Sequence, residues 1–500
     1  MRNSYDRILL RLFASILIVL TAAVSHATTY YVTPNGNDAN AGTSAQPWRT
    51  LQKSANTARS GDLVLVANGT YVGMHITADG TAAAPITFRA NGSNVLVNAR
   101  NASTPDNINI EGGNYVTVDG FIVEDAPRVG IRAVTATGIR ILNNTVRRSG
   151  LTGILTGYTP SIEITGNSAS GSLQEHGIYV SNSTSPVDNP IIRGNESFDN
   201  NQNGVQLNGD CWVGGDGIIS GAMIEGNIVH HNNWKGFSLI SVQNSTIRNN
   251  LIYENGLSAG AGAIHLADQP DCAKPSNNNI VVNNTIHEPR ITGIRMSNGS
   301  TANTIFNNLV VASTLSYTIV DEAGGNFIDA ASNMKLASLS GLFVAPGSEN
   351  YRLAPASAAL NRAVTVYRST SVPTSDIDGT NRPQGPLPDV GSYERAVTTA
   401  IGDAPSSGVT LEQNVPNPFN PSTRIAYVVE SPAQVKVSLD VFDVRGRLVR
   451  QLVQGRPSTG QVVVAWDGRD DDGQQVSSGT YFYRLVAGST TITRRMTLLK

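Results

Sequence analysis

Charged side chains are scarce in this chain, making up 15% of its 500 residues. The 36 Lys and Arg nearly balance the 38 Asp and Glu, and a net charge of −2 supplies no basic field, which argues against nucleic acid as a partner. Aromatics are 6% and hydrophobic residues 40%. That is thin material for helical bundles and better suited to many short strands and turns. Long apolar runs are also missing, apart from Leu12 to Val24, whose 13 residues are too few to span a bilayer. Arg2, Arg7 and Arg11 precede that run and Ser25-His26-Ala27 follows it, so residues 1–27 read as a secretory signal and not a membrane anchor. Cleavage before Thr28 removes three Arg and one Asp and leaves a net charge of about −4. Cysteine is limited to Cys211 and Cys272, which export would place where a disulfide can form.

Glycine and asparagine are plentiful, at 48 and 47 residues, and the asparagines recur. Each copy of a repeat has a short strand of the form Gly-Ile-x-Leu, a variable connection, and a second strand ending in Asn-Asn or Gly-Asn. From Gly120 the marker falls at Asn144, Asn167, Asn195, Asn227, Asn250, Asn284 and Asn308, with spacings of 24, 23, 28, 32, 23, 34 and 24. A basic period of 23 or 24 fits one coil of a parallel β-helix, with three strands and three turns, each strand pairing with the coil above. The Leu-x-x-Leu-x-Leu frame of leucine-rich repeats is missing. Alternation predicts Ile178, Val180, Ile264 and Leu266 pointing inward, with Tyr179 and His265 outward. The Asn column is expected to be structural, because Asn tolerates left-handed turns and its amide can bond from coil to coil.

The longer coils carry their extra residues at one place, roughly Ser181 to Pro190, Asn208 to Gly221 and Ala267 to Asn279, each directly after a Gly-Ile-x-Leu strand. Stacked in register, these loops should wall a groove. Trp48 to Ala58 has a helical pattern that could cap the first coil. After Leu309 the repeat decays, and Pro373 to Tyr393 looks like an extended closing segment. The expected organisation is an all-β chain: signal 1–27, β-helix 28–395, linker 396–408, and a last domain of longer alternating strands, 409–500.

Two resemblances rest on these residues. Tyr30-Tyr31-Val32, Gly36-Asn37-Asp38, Gly42-Thr43, Pro47-Trp48, Thr50-Leu51-Gln52 and Gly61-Asp62 to Gly69-Thr70-Tyr71 resemble the opening of secreted right-handed parallel β-helix proteins, the pectate-lyase-like group. That group includes pectate, alginate and chondroitin lyases and alginate epimerases. Asn417-Pro418-Phe419-Asn420-Pro421 with Thr423, Val441 to Leu448, Trp466-Asp467-Gly468 and Ser478-Gly479-Thr480-Tyr481 are similar to immunoglobulin-like domains related to the flagellar hook-cap protein. The second resemblance implies a sorting or anchoring module that engages type IX-like outer-membrane secretion machinery.

The proposed register puts Arg132, Leu155, Tyr179, Gln206, Ser238, His265 and Arg295 in one outward ladder. His176, Asn203 and Lys235 come just before these strands, with Asn208 and Asp210 just after. Such a row suits a polar polymer, and the resemblance implies an acidic polysaccharide outside the cell or on its surface, cleaved by β-elimination. The group's base is often Lys or Arg, which points to Lys235, in the central coil between the two longest insertions. His176 is the next candidate, and Arg295 or Arg132 would neutralise a carboxylate. Tyr179, Gln206, Asn208 and His265 would line the groove. Calcium serves some members of the group, and Asp210, Asp216 and Asp268 on the insertions are its candidate ligands here, although no close-spaced Asp ladder is present. The adjacent aspartate pair of polygalacturonase-like hydrolases is also missing. A hydrolase, an epimerase and a noncatalytic glycan-binding β-helix remain open alternatives. Cys211 and Cys272 lie two coils, about 9.6 Å, apart, so a disulfide requires their loops to lean together over Ser241 to Ser245.

Overall fold

The computed structural model describes residues 27–181, 188–212, 214–258, 260–269, 273–396, 409–429, 436–443, 447–455, 460–487 and 490–499. The expected signal and most of the expected linker lie outside these residues, as does part of each groove-walling insertion. Among the described residues no helix is long and apolar enough to cross a membrane.

Short strands of successive coils pair in parallel, as the period requires. One face is a ten-stranded sheet running from Met74–Ile76 through Ile178–Ser181, Val205–Asn208, Phe237–Ile240, Ile264–Ala267 and Ile294–Met296 to Ile319–Asp321. The other two faces join through the long strands Leu63–Val72 and Ile86–Ala99 into a 21-stranded sheet. Alternation fills the interior: Ile141, Ile164, Ile192, Ile224, Ile247, Val281 and Ile305 stack in register, all fully buried. Ile178, Val180, Ile264 and Leu266 point inward as expected.

The paired turn residues divide two tasks. The first takes the left-handed conformation, as Gly at 120, 166, 194 and 226 or as Asn143, Asn249, Asn283 and Asn307 with φ of 52 to 55°. The second is the buried ladder. Oδ1 of Asn167 accepts from the backbone N–H of Asn144 at 2.9 Å and from its Nδ2 at 3.0 Å, while Nδ2 of Asn167 donates to the Ile141 carbonyl. The same pattern passes through Asn195, Asn227, Asn250, Asn284 and Asn308 to Asn333. The repeat therefore persists one coil beyond Leu309, through Phe327–Ile328 and Met334–Leu336.

The ends are closed differently. The helix Leu51–Thr57 begins at Thr50, whose side chain accepts from the Lys53 N–H, and packs on the first strands. Trp48 is buried and stacks on Tyr30 with ring centroids 4.4 Å apart. The C-terminal flank folds back on the coils, where the amides of Asn249, Asn283 and Asn307 donate to the carbonyls of Ser375, Gly391 and Val364. Residues 373–393 are not extended as expected. They curl around Arg382, whose guanidinium is fully buried against Glu394 and must find the carbonyls of Asp389 and Gly391.

Residues 409–499 form two antiparallel sheets. One has Val409–Leu411, Thr423–Val429 and Gly460–Trp466; the other has Val437–Asp443, Leu448–Gly455, Gly479–Ala487 and Thr490–Leu498. Phe419 and Trp466 meet in the core between them, with ring centroids 5.6 Å apart.

Candidate active-site groove

The ten-stranded sheet carries the expected ladder in unbroken register: Arg132 pairs with Leu155, then Tyr179, Gln206, Ser238, His265 and Arg295 follow on successive strands. Neighbouring rungs are about 4.8 Å apart. The ladder extends N-terminally to Asn109 and His75 and C-terminally to Val320.

The polar groups concentrate around Lys235. Its backbone N–H donates to Oδ1 of Asn203, and Nζ donates to Oγ of Ser238 at 3.3 Å. Among the described residues no carboxylate forms an ion pair with it. Burial, reinforced by the charge of Arg295, brings its pKa down to about 8. His176 is 5% exposed, and burial followed by the charge of Lys235 lowers its pKa to about 3. Its Nδ1 accepts from the Asn203 N–H at 3.2 Å, and its ring meets Tyr179 edge-on. Nδ2 of Asn203 in turn reaches Oε1 of Gln206 at 2.7 Å.

His265 is also buried, and its pKa falls to about 3 through burial and then the charges of Lys235 and Arg295. Its Nε2 lies 2.8 Å from Oγ of Ser297, whereas Nδ1 has no partner. Nε of Arg295, Oδ1 of Asp268 and Oε1 of Gln269 are likewise buried without partners, on the same two coils. Buried polar atoms left this way are costly unless a ligand completes them. Gln269 was missed from sequence because nothing in its spacing distinguishes it. Arg295 holds Glu322, its Nη2 2.9 Å from Oε1. Burial is the main cause that raises the pKa of Tyr179, whose hydroxyl accepts from Nδ2 of Asn208 at 3.4 Å. Arg132 sits four rungs from Ser238 and is engaged by Asn109 and Glu111, so the structure separates it from the Lys235 cluster.

The three metal candidates do not assemble. The one group among the described residues with metal-ligand spacing is His230, His231 and Glu349. Asp210 instead accepts from the Trp212 N–H and Asp216 from the Ile218 N–H, so both carboxylates shape their own loop.

The second and third insertions do lean together. Nζ of Lys274 donates to the Asp216 carbonyl, and Cys211 is disulfide-bonded; its expected partner Cys272 lies outside the described residues. Trp212 and Trp234, 65% and 39% exposed, stand on an insertion and next to Lys235. Their positions were plain in the sequence, but their exposure was not.

Residues 30–270 match the family described as Pel9A-like, right handed beta helix region. The coils are similar to that β-helix region. Residues 419–491 match the FlgD Ig-like domain, and residues 218–335 match the periplasmic copper-binding protein NosD. The crystal structure of pectate lyase Pel9A superposes with a TM-score of 0.55 at 17% identity, covering 75% of this chain and 98% of that one. A rhamnogalacturonan lyase gives 0.47 at 17% identity over 64% and 91% of the two chains. The uncharacterized protein YwoF of Bacillus subtilis (strain 168) is 27% identical over 231 residues, 44% of this chain; the match spans 46% of that relative's length. These likenesses agree with the fold expected for both parts of the chain.

Proposed function

We propose that the groove binds an acidic, uronate-containing polysaccharide and cleaves it by β-elimination, with Lys235 as the base. The observation that carries this reading is a half-buried lysine unpaired with any described carboxylate, its pKa lowered to about 8, beside a second cation, Arg295. A neutral Lys235 amine takes the C5 proton of a uronate. The electron pair left on C5 forms the C4–C5 double bond, the C4–O bond breaks, and the leaving oxygen collects a proton. Arg295, exchanging Glu322 for the substrate, holds the carboxylate whose charge grows as C5 loses its proton. The protonated phenol of Tyr179, two rungs along the ladder from Ser238, gives the proton to the leaving oxygen. His176 is too weak a base for the proton transfer and acts by fixing Asn203, which orients Gln206 and Lys235.

The outward ladder holds no carboxylate, which disfavours hydrolysis through a carboxylate pair. The likeness to the pectate lyase Pel9A supports the elimination reading. The export pattern of residues 1–27 supports action outside the cell or at its surface, with the C-terminal Ig-like domain as the sorting or anchoring module. The exposed Trp212 and Trp234 would stack on sugars in a lyase or in a noncatalytic binding protein alike.

Incubation with a panel of uronate polymers separates the readings. Growth of ultraviolet absorbance from the unsaturated product supports the lyase; new reducing ends without it mean a hydrolase; binding alone means a glycan-binding protein.

A further inference from the structure

Away from the groove, the 21-stranded sheet carries an outward column on which Phe198, His230 and Tyr253 sit on successive strands. The His230 ring is stacked between the other two, with centroids 5.0 Å from Phe198 and 4.7 Å from Tyr253. Its Nδ1 lies 2.8 Å from Nδ1 of His231. The far nitrogen of each ring faces a carboxylate. Nε2 of His231 is 3.3 Å from Glu254, and Nε2 of His230 is 3.5 Å from Glu196, although too poorly aligned to count as a hydrogen bond. A carboxylate oxygen only accepts, so Nε2 of His231 keeps its hydrogen and, in the neutral ring, its Nδ1 carries a lone pair. That lone pair faces Nδ1 of His230, a contact that either a proton or a metal ion between the two nitrogens satisfies. Glu349 supplies a third donor, its Oε1 4.0 Å from Nδ1 of His231, and Tyr253 orients it by donating to Oε2 at 3.1 Å. The three donor atoms lie within 4.8 Å of one another.

We propose that His230 Nδ1, His231 Nδ1 and Glu349 bind a divalent transition metal of the zinc class. Two imidazoles and one carboxylate suit such an ion and not calcium, which prefers oxygens alone. Metal–nitrogen bonds of about 2.0–2.1 Å place two tetrahedral donors about 3.3 Å apart, so the rings need to part only slightly. Glu254 then plays the outer role, holding Nε2–H of His231 so that its Nδ1 faces the metal, while Glu196 lies 3.5 Å from Nε2 of His230. The His pair ends the strand Ile228–His230, while Glu349 precedes Asn350–Leu353 in the segment that returns along the coils. The metal would tie that segment to the helix and serve stability, not catalysis.

The test uses the full chain, stripped with a chelator and titrated with Zn2+, with Ca2+ as the control and metal content measured per chain. Wild type should take up one Zn2+ and melt at a higher temperature when loaded. His231→Ala should lose both effects, and Glu254→Gln should weaken Zn2+ binding 10- to 100-fold. Glu349→Gln, at an exposed side chain, should also weaken binding without loss of fold and keeps the test decisive if His231→Ala misfolds. Absence of Zn2+ uptake by wild type, equal affinity in all variants, or preference for Ca2+ would overturn the proposal; a proton shared between the rings would then satisfy the contact.

Discussion

Nζ of Lys235 reaches Oγ of Ser238 at 3.3 Å, one turn-to-strand step along the same coil, and this neutral partner leaves the amine free to lose its proton. A carboxylate at position 238 would have held the charge in place. Serine leaves burial and Arg295 to set the pKa.

Lys235→Ala should therefore abolish turnover while much of the binding remains. Lys235→Arg should lose most turnover near neutral pH, because a guanidinium gives up its proton less readily than an amine brought down to about 8. Product absorbance and a binding isotherm on the same polymer check both; unchanged turnover in Lys235→Ala would remove it from the mechanism.

A base with pKa about 8 predicts that kcat/KM rises with pH to a plateau above that value. Removing the Arg295 charge takes away one cause of the lowering, so in Arg295→Ala the rising limb should move to higher pH. Weaker binding of charged substrate should accompany the shift.

Acid should destabilise the β-helix through its buried histidines. The folded pKa values of His176 and His265 are depressed to about 3 from 6.5, so below pH 6.5 the unfolded chain binds more protons than the folded one. Stability is complete above that pH and declines as pH falls toward 3. Thermal melts between pH 7 and 4 should show this, and His176→Gln should flatten part of the decline.

Asn227→Ala should cost on the order of 2–5 kcal/mol, since it orphans the buried Asn195 N–H and the Ile192 carbonyl. Asn143→Gly, at a left-handed position whose amide reaches only the Asp119 carboxylate on the surface, should change stability by about 1 kcal/mol or less. Denaturant titration of the two variants distinguishes ladder from turn.

Peptide mapping without reductant should recover Cys211 and Cys272 in one cross-linked fragment. Closing so long a loop stabilises by about 4 kcal/mol in the chain-entropy account, so reduction should lower the melting temperature. Two free thiols in oxidised protein would refute the pairing.

The coils were legible because asparagine and alternating apolar residues leave a period that survives insertion, and that period fixed the rungs from Arg132 to Arg295. The curled segment around Arg382 was not, since its order comes from one buried guanidinium and distant backbone carbonyls, with no local pattern. The His230–His231–Glu349 group was likewise hidden: Glu349 is more than a hundred residues from the histidines, and only the return of the chain brings it near. Asp210 and Asp216, placed on an insertion by the sequence, each accept an adjacent backbone N–H through Oδ1.

The amide ladder also fixes how such a groove can change in size. Each ladder asparagine addresses its own and the adjoining coils, and the spacing between ladder positions varies from 23 to 34 residues without disturbing the next amide. Loop length and groove length are thus separate variables: walls can be raised or lowered by insertion, whereas the binding row grows only in whole steps of about 4.8 Å, one rung for each coil duplicated.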